Sequence, residues 1–341
     1  MDTRYSRQIL FHPIGRSGQE KLARSRVAIV GMGALGTVLS NHMVRAGVGF
    51  VRLIDRDFVE PSNLQRQMLY DETDAAEHLP KAIAAHAKLS NINSSVIIEP
   101  IVADLSAYNA EELLSDVDLV LDATDNFQVR YLVNDVCVKH GIPWVYGGAV
   151  SATGTFTTIR PSITPCLRCL FPEAPNPGEM PTCDTAGVIG PIIHIVASYQ
   201  ATEAFKLLVG ATDDLNLNLE HFEIWQNRHQ QIKVANARRS DCPTCGKHEY
   251  TFLQPESQDG QAVSLCGRDT VQISPGAAAS LDLDALAARL APLGRIEQNK
   301  FLLRFHVDTY TLVAFPDGRV LVQGTDEVSV ARSLHAKYIG A

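Results

Sequence analysis

The sequence lacks two features that would indicate a membrane or nucleic-acid protein. No stretch approaches the roughly 18 consecutive apolar residues of a membrane-spanning helix, and the polar start, MDTRYSRQIL, lacks the apolar core of a signal peptide. Basic residues are in deficit, since 30 Lys and Arg stand against 38 Asp and Glu. Binders of nucleic acid or anionic membranes carry a basic face instead. We therefore expect a cytoplasmic protein that binds neither nucleic acid nor membranes.

The composition is that of an ordinary folded protein. Of 341 residues, 45% are hydrophobic and 20% are charged, which is close to globular usage and far from the profile of disordered chains. The length exceeds one average domain and suits one large domain with a small appendage.

Apolar segments alternate with helical segments in the first half of the chain. Residues 26–31 form a β-branched run that leads into glycines, a helix is predicted at about 34–47, and a buried strand follows at 50–55. Further strands are predicted at 96–102, 117–122 and 142–146, and further helices near 80–91, 109–115 and 127–140. This alternation predicts an α/β fold with a doubly wound, mostly parallel, Rossmann-like sheet.

The pattern changes after residue 147. Alternating β-branched residues there predict an antiparallel extension of the sheet, and the Pro- and Gly-rich stretch at about 172–191 predicts a long loop. We assign residues 1–248 to the main domain, 249–260 to a linker and 261–341 to a small C-terminal α/β domain. For that small domain we predict helices at 281–292 and 326–338, and strands at 270–273, 295–306, 310–315 and 319–322.

A glycine turn connects the first strand to the first helix of the sheet. Gly31, Gly33 and Gly36 fit the G-x-G-x-x-G spacing, which places backbone N–H groups and a helix N-terminus against a phosphate. Asp55 lies nineteen residues after Gly36, at the end of the next strand, where a carboxylate can accept hydrogen bonds from ribose hydroxyls. The glycine turn and Asp55 together predict an adenosine-binding site rather than a merely structural turn. They do not distinguish NAD from ATP as the nucleotide.

Charged residues downstream favour ATP. Asn63 and Arg66 follow the ribose position, and Lys81 begins the next helix, a set that suits an anionic triphosphate. Asp125 follows the strand at 117–122, and a carboxylate beside a triphosphate is suited to Mg²⁺. The alternative is that Arg66 and Lys81 are solvated surface charges and that Asp125 caps the helix at 127.

Four of the seven cysteines form two C-x-x-C pairs. Cys166 and Cys169 precede Cys242 and Cys245 by 72 intervening residues, and four thiolates with no open position are typical of structural zinc. The alternatives are redox-active pairs and simple buried cysteines. Cys137 is predicted to lie in the core, and Cys266 is a weaker candidate for reactivity.

At this point the sequence resembles the MoeB/ThiF-type adenylyltransferases of molybdopterin and thiamine biosynthesis, which are relatives of ubiquitin-activating enzymes. The resemblance spans roughly residues 4–248 in order. It is carried by RYSRQ (4–8), GMGALG (31–36), DRDFVEPSNLQRQ (55–67), DATDN (122–126), PCLRC (165–169), TCDTAGVIGP (182–191) and CPTC (242–245). Ala34 departs from a glycine common in that loop.

The resemblance implies roles for individual residues. It implies ribose binding by Asp55, phosphate contacts from Asn63, Arg66 and Lys81, and Mg²⁺ binding by Asp125. Arg7 would reach the nucleotide of the partner subunit in a homodimer, and Cys183 would be a thiol able to bond the carrier or be dispensable.

The implied reaction is ATP-dependent adenylation of the C-terminal glycine carboxylate of a ubiquitin-like sulfur-carrier protein ending in Gly-Gly. A sulfur donor protein would act next. Three alternatives remain: a non-catalytic scaffold, an NAD-dependent oxidoreductase, and adenylation of a peptide or of a tRNA-linked group. For the C-terminal domain, carrier docking, dimer support and contact with a sulfur donor all remain open.

Overall fold

The computed structural model describes residues 3–174, 182–254, 262–265, 269–275 and 280–340. The chain divides into two compact units. The first comprises residues 1–175 and 187–254, and the second comprises residues 176–186 and 255–341.

An eight-stranded sheet forms the centre of the first unit. Its strands are β1 (Arg26–Val30), β2 (Phe50–Asp55), β3 (Ile97–Val102), β4 (Leu119–Asp122), β5 (Trp144–Val150), β6 (Thr153–Ile159), β7 (Asn218–Glu223) and β8 (Arg228–Lys233). The order is β3-β2-β1-β4-β5-β6-β7-β8. The strands from β3 to β5 pair in parallel, and those from β5 to β8 pair antiparallel. The predicted parallel sheet with an antiparallel extension is confirmed.

Helices account for most of the remaining regular structure. They are α1 (Ser6–Leu10), α2 (Gly15–Arg24), α3 (Ala34–Ala46), α4 (Glu72–Ala76), α5 (Lys81–Ile92), α6 (Ala110–Leu114), α7 (Phe127–His140), α8 (Leu167–Leu170), α9 (Cys183–Ala186), α10 (Gly190–Val209), α11 (Leu283–Leu290) and α12 (Val328–Tyr338). Short 3-10 turns lie at Thr3–Tyr5, Pro61–Asn63, Thr212–Asp214 and Thr251–Leu253. In the described residues, no helix is both long and apolar enough to cross a membrane.

Alternate residues of β1 show how the sheet is covered on both faces. Val27 and Ile29 pack in one apolar cluster with residues of α3, α5 and α10. Ala28 and Val30 pack in another with residues of α6 and α7. Side chains of a strand alternate between faces, so an almost wholly apolar strand such as β1 requires helices on both sides.

A second, antiparallel sheet forms the centre of the second unit. Its strands are β9 (Ala262–Leu265), β10 (Thr270–Ile273), β11 (Arg295–Gln298), β12 (Leu303–Val307), β13 (Tyr310–Ala314) and β14 (Val320–Gln323), in the order β11-β12-β13-β14-β10-β9. Leu286 of α11 and Ala331 of α12 lie in one apolar cluster with the sheet residues Phe305 and Leu312. The small α/β domain predicted from the sequence therefore has this architecture.

Two local differences from the sequence prediction are informative. The single strand expected at 295–306 is a hairpin of β11 and β12, because the Asn299 side chain accepts hydrogen bonds from the backbone N–H groups of Phe301 and Leu302 and turns the chain. Within the predicted linker, Phe252 stacks on Tyr131 of α7 with ring centroids 5.0 Å apart. The segment before residue 255 therefore packs on the first unit.

Candidate nucleotide and metal sites

The glycine turn between β1 and α3 is fixed by close backbone contacts. Gly31 has φ +93, and a Cβ there would lie 2.7 Å from the carbonyl oxygen of Ala123. A Cβ on Gly36 would lie 2.0 Å from the carbonyl oxygen of Gly31. Gly33 differs, since the nearest atom to a Cβ there is Gln67 Nε2, 3.9 Å away. Gly31 and Gly36 are therefore required by close backbone contacts, whereas a Cβ on Gly33, at the N-terminus of α3, would make only an ordinary van der Waals contact.

We expect Gly36→Ala and Gly33→Ala to separate stability from nucleotide binding. The methyl group of Gly36→Ala would displace backbone and cost about 1–3 kcal/mol or more of unfolding free energy. Gly33→Ala should keep the thermal midpoint of the wild type but weaken ATP binding, because its methyl group fills the space where a phosphate approaches backbone N–H groups. Thermal unfolding and calorimetric titration with an ATP analogue measure the two effects. Equal thermal midpoints for the two variants would contradict this assignment.

Asp55 is held at the end of β2 by the turn. Its carboxylate accepts hydrogen bonds from the backbone N–H of Met32 at 2.5 Å and from that of Asp57 at 2.7 Å. Burial raises the pKa of Asp55, and the nearby charge of Lys81 opposes that shift. The carboxylate is therefore oriented next to the glycine turn, as its predicted ribose contact requires.

Lys81 is connected to Asp55 through Asp57, which contacts both residues. Its ammonium is 3.2 Å from Asp57 Oδ2, and the lysine residue is only 5% exposed. Tyr70 donates from its hydroxyl to the carbonyl oxygens of Met32 and Lys81, at 2.7 and 3.1 Å. The alternative that Lys81 is a solvated surface charge is wrong, because the side chain is buried at the start of α5.

The predicted phosphate residues on the following loop occupy a single turn. Asn63 is buried, and its backbone carbonyl accepts from the N–H groups of Arg66 and Gln67 at 3.1 and 3.0 Å. The Arg66 guanidinium donates to the carbonyl oxygen of Ser62 at 2.9 Å. Because Gln67 faces Gly33, this turn lies against the glycine turn.

The two aspartates that follow β4 differ in their surroundings. Asp122 is fully buried, and its Oδ2 is 3.1 Å from Arg130 Nε. Asp125 is exposed. Asn126 caps α7 by accepting from the N–H of Gln128 at 2.8 Å, so the alternative that Asp125 is the helix cap is wrong. Asp125 thus presents a carboxylate at the carboxyl edge of the sheet, where doubly wound folds bind ligands.

Arg130 is a residue that the sequence reasoning missed. It is buried on α7 and donates to the carbonyl oxygens of Thr124 and Gly147 at 2.6 and 3.1 Å, besides its ion pair with Asp122. Burial raises the pKa of the Asp122 carboxyl, and the arginine opposes that shift. Arg130 therefore fixes the loop that carries Asp125. The available signal in the sequence was an arginine directly between the apolar positions Val129 and Tyr131 of the predicted helix.

Two other predicted residues lie on short helices. Arg7 is exposed on α1. Cys183 begins α9 in the second unit, and its side chain lies outside the described residues, as does the whole of Cys266. Cys137 is buried in the core on α7, as predicted.

The four paired cysteines form one buried cluster. The Sγ atoms of Cys166, Cys169, Cys242 and Cys245 all lie within 4.8 Å of one another. Cys166 lies 3.7 Å from Cys242, and Cys169 lies 3.4 Å from Cys245. A hydrogen bond from the Cys166 thiol lowers the pKa of the Cys169 thiol. Four converging sulfur atoms match the ligand set of a closed tetrahedral metal site.

Adjacent buried residues of α7 hold both cysteine pairs. Asn134 Oδ1 accepts from the backbone N–H of Leu167 at 2.9 Å, between the first two cysteines. Asp135 accepts from the Thr244 hydroxyl at 2.8 Å, between the other two, and from the N–H of Phe252 at 3.0 Å. Sequence reasoning missed these residues as well, since their partners are remote in sequence.

The fold and the two clusters define a doubly wound α/β protein with a glycine turn at the N-terminus of α3, a carboxylate held against that turn and a four-thiol cluster. The ThiF family model matches residues 5–244 of this chain. The chain belongs to the ThiF family.

Named relatives extend this finding. A sulfur carrier protein ThiS adenylyltransferase of Bacillus subtilis (strain 168) is 45% identical over 341 residues, which cover all of both chains. A SAMP-activating enzyme E1 of Haloferax volcanii is 41% identical over 244 residues, or 72% of this chain and 88% of that protein. The prediction of an adenylyltransferase is confirmed, and the chain is an ATP-using enzyme of that class.

A solved structure shares the fold. A crystal structure of E. coli MccB with MccA-N7isoASN matches with a TM-score of 0.64 and 23% identity, over 72% of this chain and 75% of that chain. At this identity, the likeness supports the fold of the matched part of the chain and nothing about the substrate.

Proposed function

We propose that this enzyme adenylates the C-terminal glycine carboxylate of a small, ubiquitin-like sulfur-carrier protein ending in Gly-Gly. The observation that carries the proposal is the joint placement of the glycine turn, Asp55 and buried Lys81 next to the loop that presents Asp125. The full-length relative's activity toward a sulfur carrier supports the choice of substrate.

In the proposed reaction, a carboxylate oxygen of the carrier attacks the α-phosphorus of ATP. The bond from that phosphorus to the bridging oxygen breaks, pyrophosphate leaves, and an acyl-adenylate remains. A carboxylate is already ionised at neutral pH, so no general base is needed. The protein's contribution is to align two anions and to neutralise the charge on the phosphates.

Individual residues fit these tasks. Asp55 would hold the ribose, and Asn63, Arg66 and Lys81 would contact the phosphates. Asp125 would hold Mg²⁺, which when bound supplies charge neutralisation on the phosphates. Arg7, exposed on α1, would contact the nucleotide of the partner subunit in a homodimer.

The four-thiol cluster is proposed to hold a structural Zn²⁺. The donor set fits, because four buried cysteine sulfurs leave no open position for substrate or water. Both cysteine pairs are anchored to α7, so the metal would tie the end of the first unit to its middle.

The experiment that tests the proposed function is ATP–pyrophosphate exchange against a panel of carriers ending in Gly-Gly. We expect exchange only when a carrier with an intact C-terminal carboxylate is present, and none when that carboxylate is amidated. The proposal would be refuted by exchange that proceeds equally well without a carrier, or by a lack of exchange with every carrier tested.

Cys183 allows adenylation to be separated from the step that follows it. We expect Cys183→Ala to retain most pyrophosphate exchange, since the attack on phosphorus needs no protein nucleophile. A covalent enzyme–carrier thioester would require a thiolate that displaces AMP from the acyl-adenylate. Mass spectrometry of the reaction mixture should show this species in the wild type and not in Cys183→Ala. Loss of exchange in the variant would assign the cysteine to folding or adenylate binding, and an unchanged product would mean that the sulfur donor attacks the adenylate directly.

A further inference from the structure

Gln67 has an unsatisfied buried oxygen next to the glycine turn. The residue is only 3% exposed, and its Oε1 atom is buried without a hydrogen-bond partner among the described residues. Its Nε2 atom lies 3.9 Å from the position that a Cβ on Gly33 would take. Burying an acceptor without a partner costs stability, so a ligand that brings a donor to this place would relieve that cost.

The nucleotide does not bring that donor. At neutral pH the triphosphate of ATP offers acceptor oxygens, and its donors are the ribose hydroxyls and the adenine amino group. The ribose side of the site is marked by Asp55 at the end of β2, whereas Gln67 faces Gly33 at the N-terminus of α3, where the phosphates are held. The carrier tail, the second substrate, does bring a donor to the phosphates, because the residue that carries the reacting carboxylate also has a backbone N–H group.

We propose that Gln67 binds the tail of the carrier by accepting a hydrogen bond from the backbone N–H of its C-terminal glycine. This inference rests on the proposed function. That N–H is three bonds from the carboxylate oxygen that attacks the α-phosphorus, so it lies beside the phosphates whenever the carboxylate is in position. Gln67 would orient the tail, while its Nε2 atom faces the phosphate side of the turn.

The position of Gln67 on its loop supports this role. Its backbone N–H donates to the carbonyl oxygen of Asn63 at 3.0 Å. Two residues earlier, Gln65 Nε2 lies 3.5 Å from the carbonyl oxygen of Val188, in the segment that leads into α10. The backbone of the turn is thus held by its own hydrogen bond, and the Gln67 carboxamide extends from this fixed backbone, as is required of a residue that orients a substrate.

The test uses Gln67→Met, which keeps the length of the side chain and removes both polar groups. Because the orphaned acceptor is gone, the free enzyme should keep or raise its thermal midpoint. The KM for the carrier in pyrophosphate exchange should rise about tenfold, the loss expected for one buried hydrogen bond. Affinity for an ATP analogue, measured by calorimetry, should stay within about twofold. Gln231→Met, on exposed strand β8, is the matched control and should change neither value.

A modified carrier identifies the N–H group. In a carrier whose last residue is glycolic acid, an ester oxygen replaces that N–H and the carboxylate is kept. With the wild-type enzyme, we expect the KM of this carrier to be about tenfold higher than that of the unmodified carrier. With Gln67→Met, the two carriers should have almost the same KM, because the effects of two groups in direct contact are not additive. Fully additive losses, or a loss of ATP affinity in Gln67→Met with an unchanged carrier KM, would overturn the inference and leave the proposed function intact. If the wild-type enzyme shows no exchange with any carrier, both the inference about Gln67 and the proposed function are refuted.

Discussion

Replacing Lys81 or Asp125 with alanine is expected to lower carrier-dependent ATP–pyrophosphate exchange by about 100-fold or more, the usual loss when a group that stabilises transition-state charge is removed. Lys81 is buried and held 3.2 Å from Asp57. Asp57 in turn donates its N–H to Asp55. The ammonium is therefore fixed before ATP arrives, and little reorganisation is needed when negative charge develops on the phosphates.

Replacing Asp125 should change the dependence of exchange on Mg²⁺ concentration in a different way from replacing Lys81. If its carboxylate holds Mg²⁺, Asp125→Ala should raise the Mg²⁺ concentration needed for half-maximal exchange, whereas Lys81→Ala should lower the rate at every Mg²⁺ concentration. A magnesium titration of both variants measures this difference. If Asp125→Ala and the wild type require the same Mg²⁺ concentration, the carboxylate of Asp125 does not bind the metal.

Charged residues outside the proposed site provide matched controls for both variants. Lys88 lies on the same helix as Lys81, is partly exposed and pairs with exposed Asp71 and buried Asp74, so Lys88→Ala should exchange at nearly the wild-type rate. Asp214→Ala, at an exposed position in the 3-10 turn Thr212–Asp214, serves the same purpose for Asp125. Wild-type exchange in both Lys81→Ala and Asp125→Ala would refute the proposed mechanism.

The glycine turn and the carboxylate beside it were predictable because they are close together in sequence. Gly31, Gly36 and Asp55 belong to one βαβ unit, and the contacts that require the two glycines arise from how a strand turns into a helix. The antiparallel extension was equally readable, because its strands carry alternating β-branched residues.

Side chains with remote partners were not predictable. Asp135 bonds to residues 109 and 117 positions away, and nothing in its own neighbourhood on α7 indicates either contact. Asp125 and Asn126 are both residue types that cap helices, so only the backbone geometry could assign the cap to Asn126. The turn at Asn299 was also not predicted from the sequence. No Gly or Pro marks it, and the chain turns because the Asn299 side chain accepts a backbone hydrogen bond.

The second large effect is expected from Cys242→Ser, which should lose the bound metal and lower the thermal midpoint by at least about 10 °C. Structural zinc contributes directly to folding free energy. For a domain of this size, a loss of about 4 kcal/mol corresponds to a shift of this order. Metal analysis of protein purified without chelator should find one zinc per wild-type chain. Finding none would remove the zinc assignment.

Cys137→Ala is the matched control for the cysteine variants. Cys137 is also fully buried on α7 but lies outside the four-thiol cluster. Its replacement should cost some packing energy and leave the zinc content at one per chain. A drop in zinc content in both variants would show that metal loss follows general destabilisation of α7 rather than loss of a ligand.

The position of the cluster on α7 determines what metal loss should do to nucleotide binding. Asn134 and Asp135 anchor the cysteine pairs in the second half of the helix, whereas Arg130 fixes the loop of Asp125 near its start through Asp122 and Gly147. The contacts of Arg130 do not involve the cysteines, so the nucleotide site has its own support. Below its lowered thermal midpoint, Cys242→Ser should therefore bind an ATP analogue with an affinity within a few-fold of the wild type. Calorimetry at low temperature would measure this, and a loss of binding in a protein with native circular dichroism would instead show that the metal positions Asp125 through α7.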